Sequence, residues 1–184
     1  MQSFTPVVPT QSIYRTLLQA MAHPCRPYTL DSSAFDSPLL ALAETLLDHE
    51  VGFCLHPDSP KEWEGVLFAS TKASPVAWEQ ADFLFIQGSD SEGLAVTAQR
   101  GDPTFPDRGA TLIYVIDSPD PSTGPTLDGP GLRVPGPPDC NPFPPAEWAA
   151  LKEINDDFPL GVDALVLIGT DTVCALPRST RITL

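Results

Sequence analysis

Ala110-Thr111-Leu112-Ile113-Tyr114-Val115-Ile116 and Val162-Asp163-Ala164-Leu165-Val166-Leu167-Ile168 are the two stretches that decide the fold class. Both are short, near-continuous apolar runs rich in β-branched residues, the form taken by strands buried on both faces of a sheet. The second run is followed by Gly169-Thr170-Asp171 and then Thr172-Val173-Cys174-Ala175-Leu176. A glycine-containing loop of this length between two apolar runs reads as a hairpin, so the C-terminal strand is expected to be antiparallel.

Outward from these strands, helical and strand patterns alternate. Asp82 to Ile86 and Val51 to Leu55 are further compact apolar runs. Ser12 is placed to cap a first helix with Ile13, Leu17 and Met21 on one stripe, stopped by Pro24. Ser37-Pro38 reads as an N-cap followed by a proline at the first helical position, ahead of Leu39, Leu42, Ala43, Leu46 and Leu47. Ser59-Pro60-Lys61-Glu62 has the spacing of a capping box for a third helix bearing Trp63, Val66 and Leu67. Ser91 to Arg100 suggests a short helix, and Ala146 to Asn155 a longer one with Trp148, Leu151 and Ile154 on one face. Strands interleaved with helices and closed by a hairpin predict a three-layer α/β/α domain around a mixed sheet. The strand order is not fixed by the pattern.

Ten of the 22 prolines fall between Pro119 and Pro145. Such a segment cannot be helical, and the reading allows it one or two short edge strands around Thr126 to Leu132. At 184 residues the chain fits a single α/β domain, residues 1–184, with a stiff excursion at 119–145. Preset backbone angles reduce the entropy lost when such a segment is held against a partner.

The 24 acidic against 10 basic side chains give a net charge of −14. No basic face is available to track a phosphate backbone, so nucleic acid and anionic membranes are not expected partners. No apolar run approaches the ~20 residues of a membrane-spanning helix. Cys25, Cys54, Cys140 and Cys174 form no C-x-x-C pair, and Met1 to Pro9 lacks the basic and apolar regions of a signal peptide. A cytoplasmic location with reduced thiols is expected.

Five stretches in chain order carry a resemblance: Tyr14-Arg15-x-x-Leu18-x-Ala20-Met21-x-x-Pro24, Gly109 to Ile113, Leu127-x-Gly129-Pro130-Gly131-Leu132, Phe158 to Asp163, and Leu176-Pro177-Arg178-Ser179-Thr180. Together they resemble the H subunit of the bacterial carbon-phosphorus lyase system. The resemblance implies a fold like that of pyridoxal-phosphate-dependent transferases but without the cofactor. It also implies membership of a multiprotein core complex that attaches phosphonate to the ribose C1 of ATP with release of adenine. The implied partners are the other core subunits, and no catalytic residues come with the family. One position departs from the family pattern. Cys25 stands where the family has glycine, so the turn there is either not left-handed or strained.

The residues themselves offer little chemistry. Lys61, Lys72 and Lys152 lie at helix ends or on a charged face, not where a Schiff-base lysine is wanted, and no cofactor is expected. His23 with Cys25, and Cys54 with His56, lack zinc spacing, and the acidic clusters Asp117 to Asp120 and Glu153 to Asp157 read as solvated faces, so no metal is expected. Phosphate-cradling glycine loops and a G-x-S-x-G elbow are absent from the sequence. The sharper candidate is Arg178-Ser179-Thr180-Arg181, where an arginine fork with hydroxyls nearby suits a phosphonate or triphosphate. The same arginines suit a partner subunit or carboxylates of this chain, and Arg15 divides the same way.

Two expectations follow. In the first, the chain is a structural and docking subunit without an active site of its own, and it forms a homodimer in isolation. In the second, it holds phosphonate or nucleotide through Arg178, Ser179, Thr180 and Arg15.

Overall fold

The computed structural model describes residues 9–184, and the reading of Met1 to Val8 lies outside them. The elements are α1 (Pro9–Ala22), β1 (Tyr28–Thr29), α2 (Pro38–Leu46), β2 (Gly52–Leu55), α3 (Glu62–Thr71), β3 (Ser74–Pro75), β4 (Phe83–Gln87), β5 (Thr111–Ile116), β6 (Thr126–Asp128), α4 (Pro145–Ile154), β7 (Asp163–Ile168), β8 (Thr172–Leu176) and β9 (Arg181–Thr183). Seven strands form one mixed sheet in the order β1-β8-β7-β5-β4-β2-β3, and β6 pairs with β9 in a separate antiparallel ribbon. β7, β5, β4, β2 and β3 run parallel, and β8 is antiparallel to both of its neighbours, β7 and β1, so β1 again runs with the parallel set. The hairpin expected at Gly169-Thr170-Asp171 joins β7 to β8, with Ile168 facing Thr172.

Period-two alternation along the central strands builds the three layers. Phe85, Ile113, Leu165 and Leu167 face one side, where they meet Ile13, Leu17 and Ala20 of α1, the α2 leucines and Leu67 of α3. Leu84, Ile86, Leu112, Tyr114, Ala164 and Val166 face the other, against Trp148, Leu151 and Ile154 of α4. The proline-rich excursion belongs to this second layer. It inserts Leu127 and Phe143, both fully buried, and Phe143 stands edge-on between Tyr114 and Trp148 at ring-centre distances of 4.7 and 5.2 Å. Each such aromatic contact adds about 0.5–1.5 kcal/mol beyond the area buried. Asn141 ties the segment down by accepting a hydrogen bond from Trp148 Nε1 at 2.7 Å.

Ser37 caps α2 as its sequence requires, its hydroxyl accepting from the Leu40 N–H at 3.2 Å with Pro38 at the first helical position. Other boundaries differ. α1 already runs at Pro9, so Ser12 is inside the helix and not its cap, and Ala20 replaces Met21 on the buried stripe. The Ser59 capping box does not form. Lys61 occupies the N-cap without a side-chain bond, because the Ser59 hydroxyl is taken by the sheet: it donates to the Phe85 carbonyl at 3.3 Å and accepts from the Gln87 N–H at 3.0 Å. Of the expected α3 face only Leu67 is buried, and Val66 is exposed. Ser91 to Arg100 holds only one 3-10 turn, Leu94–Thr97.

The order of the parallel strands places a reversal between β2 and β4. β2 to β3 steps outward, the chain crosses back over β2, and β4, β5 and β7 step the other way. In open α/β sheets the carboxyl ends at such a reversal are the usual ligand crevice. Here the loop after β2 fills it. The His56 N–H donates to the Phe85 carbonyl at 2.7 Å, Ser59 continues the ladder, and the buried His56 ring bonds the Ser91 carbonyl at 3.2 Å.

Candidate functional site

The family-like stretches converge at the opposite, amino end of the parallel strands. Gly109 leads into β5, Gly161 and Val162 lead into β7, and Pro177 to Thr180 leave β8. Asp163, the first residue of β7, binds Arg178 three times. Its Oδ1 accepts from the Arg178 backbone N–H at 2.8 Å, and its Oδ2 accepts from Nε at 3.0 Å and Nη2 at 2.6 Å. The remaining arm, Nη1, donates to the Pro106 carbonyl at 2.8 Å, and the second hydrogen of Nη2 goes to the Gly109 carbonyl at 3.1 Å. The ion pair is mostly shielded, with side-chain exposures of 14% and 20%.

The glycines of these stretches make that approach possible. A Cβ at Gly109 would stand 2.1 Å from the Gly161 carbonyl oxygen and 2.3 Å from Arg178 Nη1. One at Gly131, where φ is +86°, would stand 2.2 Å from the Ala22 carbonyl oxygen at the end of α1. Gly129, with φ +137°, lies less tightly against the chain leaving β8, a Cβ there standing 3.0 Å from the Ser179 carbonyl oxygen. The excursion is thus clamped between the last turn of α1 and the chain leaving β8.

Beside this clamp lies a cleft of about 620 Å³ lined by Gly129, Lys152, Asn155, Asp156, Phe158 and residues 178–183. Arg178, Ser179 and Thr180, adjacent in the sequence, all line this cleft. Arg15 is on the exposed side of α1 and does not line the cleft. Arg181 pairs with Asp128 across the β6–β9 ribbon at 2.5 Å, and Lys152 approaches Asp156 at 3.6 Å. Both pairs are exposed at the rim and worth little to stability. Among the described residues, two buried side-chain polar atoms have no partner, Asn155 Nδ2 and Thr180 Oγ1, and both belong to residues of this cleft. The Asn155 amide is oriented by its other end, since Oδ1 accepts from the Val162 N–H at 2.7 Å. The sequence gives no signal for Asn155, which is an unremarked polar residue at a helix end.

Residues 3–183 match the family described as "Bacterial phosphonate metabolism protein (PhnH)". The chain belongs to the PhnH family. It is 31% identical over 178 residues to the "Putative C-P lyase subunit protein HtxG" of Stutzerimonas stutzeri, covering 95% of this chain and 86% of that protein. It is 28% identical over 190 residues to the "Alpha-D-ribose 1-methylphosphonate 5-triphosphate synthase subunit PhnH" of Rhizobium meliloti (strain 1021), covering 96% and 92%.

Other groups capable of chemistry are used within the fold. Glu147 is fully buried, accepting from the Ser91 N–H and hydroxyl at 2.9 Å each and from the Tyr114 hydroxyl. Burial pushes its carboxyl above the usual range, against the pull of the Tyr114 and Ser91 donors. Without solvent access this network joins α4 to β5 and is structural. Cys25 adopts φ +55°, so the turn that departs from the family glycine is left-handed and strained. Of the lysines, Lys72 donates to the Ala69 carbonyl at its own helix end, and no group of three His, Cys, Asp or Glu among the described residues is arranged to hold a metal. No helix described is long and apolar enough to cross a membrane.

Proposed function

We propose that this chain is a subunit of the carbon-phosphorus lyase core complex of organic phosphonate catabolism. In this reading it supports the transfer of phosphonate onto the ribose C1 of ATP, with loss of adenine, as a structural and docking component. The observation that carries the reading is the use made of the family stretches. Their arginine, aspartate and glycines hold the fold together at the amino end of the sheet, while the crevice at the carboxyl ends is filled by the chain's own His56 and Ser59. The printed names of both relatives describe subunits. Partners are the other core subunits, met in part by the outer side of the excursion, where Val134 is 73% exposed. A cofactor-free relative of the pyridoxal-phosphate transferase fold, a homodimer of the isolated chain and a cytoplasmic location complete the proposal. The test is reconstitution of the phosphonate and ATP reaction from the partner subunits with and without this chain. Full activity in its absence overturns the reading, and a monomeric mass in light scattering at micromolar concentration overturns the dimer.

A second reading is favoured by one observation, the two unpartnered donors at the cleft of Arg178, Ser179 and Thr180. Buried N–H and O–H groups without acceptors are rare in native proteins and call for an acceptor from outside the chain. In this reading the cleft takes an oxyanion of a phosphonate or nucleotide, with Lys152 and Arg181 released from their rim partners. Arg15 contributes nothing at this cleft. Calorimetry of the chain with phosphate, methylphosphonate and ATP tests it, with Thr180→Val as the control. Binding that is absent, or unchanged by the substitution, removes it.

A further inference from the structure

The β6–β9 ribbon leaves one backbone edge open. Leu127 of β6 exchanges both of its backbone hydrogen bonds with Gly136, donating at 2.8 Å and accepting at 3.0 Å, so these groups point away from β9. In an antiparallel ladder the residue directly opposite then also turns its N–H and C=O outward, and that residue is Ile182. Thr126 with Thr183 and Asp128 with Arg181 are the bonded pairs. Among the described residues no other backbone segment takes up the two groups of Ile182. The edge strand β3 of the main sheet is blunted by Pro75, whereas β9 has no proline.

Ile182 lines the cleft it shares with Lys152, Asn155, Asp156 and Phe158. The two buried side-chain atoms without partners belong to the same cleft, Thr180 and Asn155 being only 3% and 9% exposed. A backbone edge that lacks one donor and one acceptor, beside two donors that lack a carbonyl, is complemented by a single kind of group, an extended peptide. The rim agrees in charge. Lys152 is matched by Asp156 and Arg181 by Asp128, so a neutral backbone is accommodated without breaking either pair. Phe158, 62% exposed at the rim, offers an apolar contact.

We infer that β9 is a strand-addition site, at which an extended, uncharged segment of a partner subunit pairs with Ile182 and presents carbonyl oxygens to Asn155 Nδ2 and the Thr180 hydroxyl. On the docking reading, which this site presupposes, the segment is what seats the chain in its complex. A second copy of this chain is a poor occupant, because its own β9 edge borders the same recess and two recessed edges cannot meet.

Hydrogen exchange resolved to single amides, on the full chain alone and in complex with the partner subunits, tests the site. In the isolated chain the Ile182 amide is expected to exchange faster than those of Arg181 and Thr183, and in the complex to become protected. Ile182→Pro removes the outward N–H and is expected to weaken assembly about tenfold or more, while Ile182→Ala gives up comparable packing, keeps the N–H and assembles more tightly than the proline variant. An Ile182 amide already protected in the isolated chain overturns the inference, as does a complex that forms with protection elsewhere and none at Ile182. Protection by inorganic phosphate alone assigns the cleft to an oxyanion, and protection that grows with chain concentration assigns it to a second copy; either result overturns the inference. Failure of the chain to join the complex at all overturns the docking reading itself. Because the wild-type exchange pattern decides the matter, instability of the proline variant leaves the test intact.

Discussion

Arg178 spends its fork on Asp163 and on the carbonyls of Pro106 and Gly109, so that one side chain ties the chain leaving β8 to the first residue of β7 and to the approach to β5. A guanidinium so engaged is a poor ligand for an outside phosphate, since a new anion must first break bonds to a shielded carboxylate. Arg178 closes the amino end of the sheet, where three strands and the excursion would otherwise splay.

Arg178→Ala is therefore expected to act on stability. It leaves Asp163 as a shielded, uncompensated carboxylate and frees two carbonyls, at a cost of about 3 kcal/mol or more. Arg178→Lys retains the charge but not the fork and falls between the two. Urea unfolding followed by circular dichroism measures this. Wild-type stability in Arg178→Ala would show that the clamp does not hold the fold.

Thr180→Val separates fold from function in the opposite sense. The Thr180 hydroxyl is buried without a partner, so replacing it by a methyl group of similar shape is expected to leave the isolated chain as stable or to stabilise it by about 1 kcal/mol. If an outside acceptor satisfies that hydroxyl, the same substitution weakens binding of a partner subunit or an oxyanion. A pull-down with the core subunits, run beside thermal unfolding, reads both. A loss of stability in the isolated chain would mean that the hydroxyl already has a partner within the fold.

Where the sequence was legible, a single physical rule governed the residues. Thr111 to Ile116 and Asp163 to Ile168 read as doubly buried strands because alternate side chains meet two apolar layers, and Ser37-Pro38 reads as a helix start because its hydroxyl has no better offer. Ser59 has the same local signature and a better offer, a place in the ladder between Phe85 and Gln87 that exists only once β4 is beside it. Arg178 was legible as conspicuous, with carboxylates of this chain among its expected partners, but not which groups take it, since Asp163, Pro106 and Gly109 reach it only through the sheet. Asn155 was silent, because its significance is a matter of what stands opposite across the fold.

Glu147 gives a pH dependence with a definite sign. Its pKa is higher in the folded chain than in the unfolded one, chiefly because burial disfavours the carboxylate, so the folded state binds more protons. Its contribution to stability is present below the unfolded pKa and is lost as the pH rises through the folded one. Glu147→Gln keeps an acceptor oxygen for Ser91, turns its amide toward the Tyr114 hydroxyl, which then accepts instead of donating, and removes the titration. The stability difference is expected to move in the variant's favour as the pH rises from the acid side of the carboxylate range toward neutrality. Chemical unfolding of both chains across that range checks it, and parallel profiles would show that Glu147 titrates normally.

Cys25 presents two opposed effects at one position. Its left-handed φ of +55° costs a non-glycine residue about 1–2 kcal/mol, while its fully buried side chain contributes packing. Cys25→Ala gives up the sulfur and keeps the strained backbone, and Cys25→Gly gives up slightly more side chain but relieves the strain. If the strain is real, glycine is the better replacement by about 1 kcal/mol, even though glycine also makes the unfolded chain more flexible. A β-branched residue fares worst, since its second substituent crowds the backbone further. The order Gly above Ala above Val in thermal midpoint is the expected result. Alanine above glycine would mean that packing around the thiol, and not the turn, sets the stability of this corner.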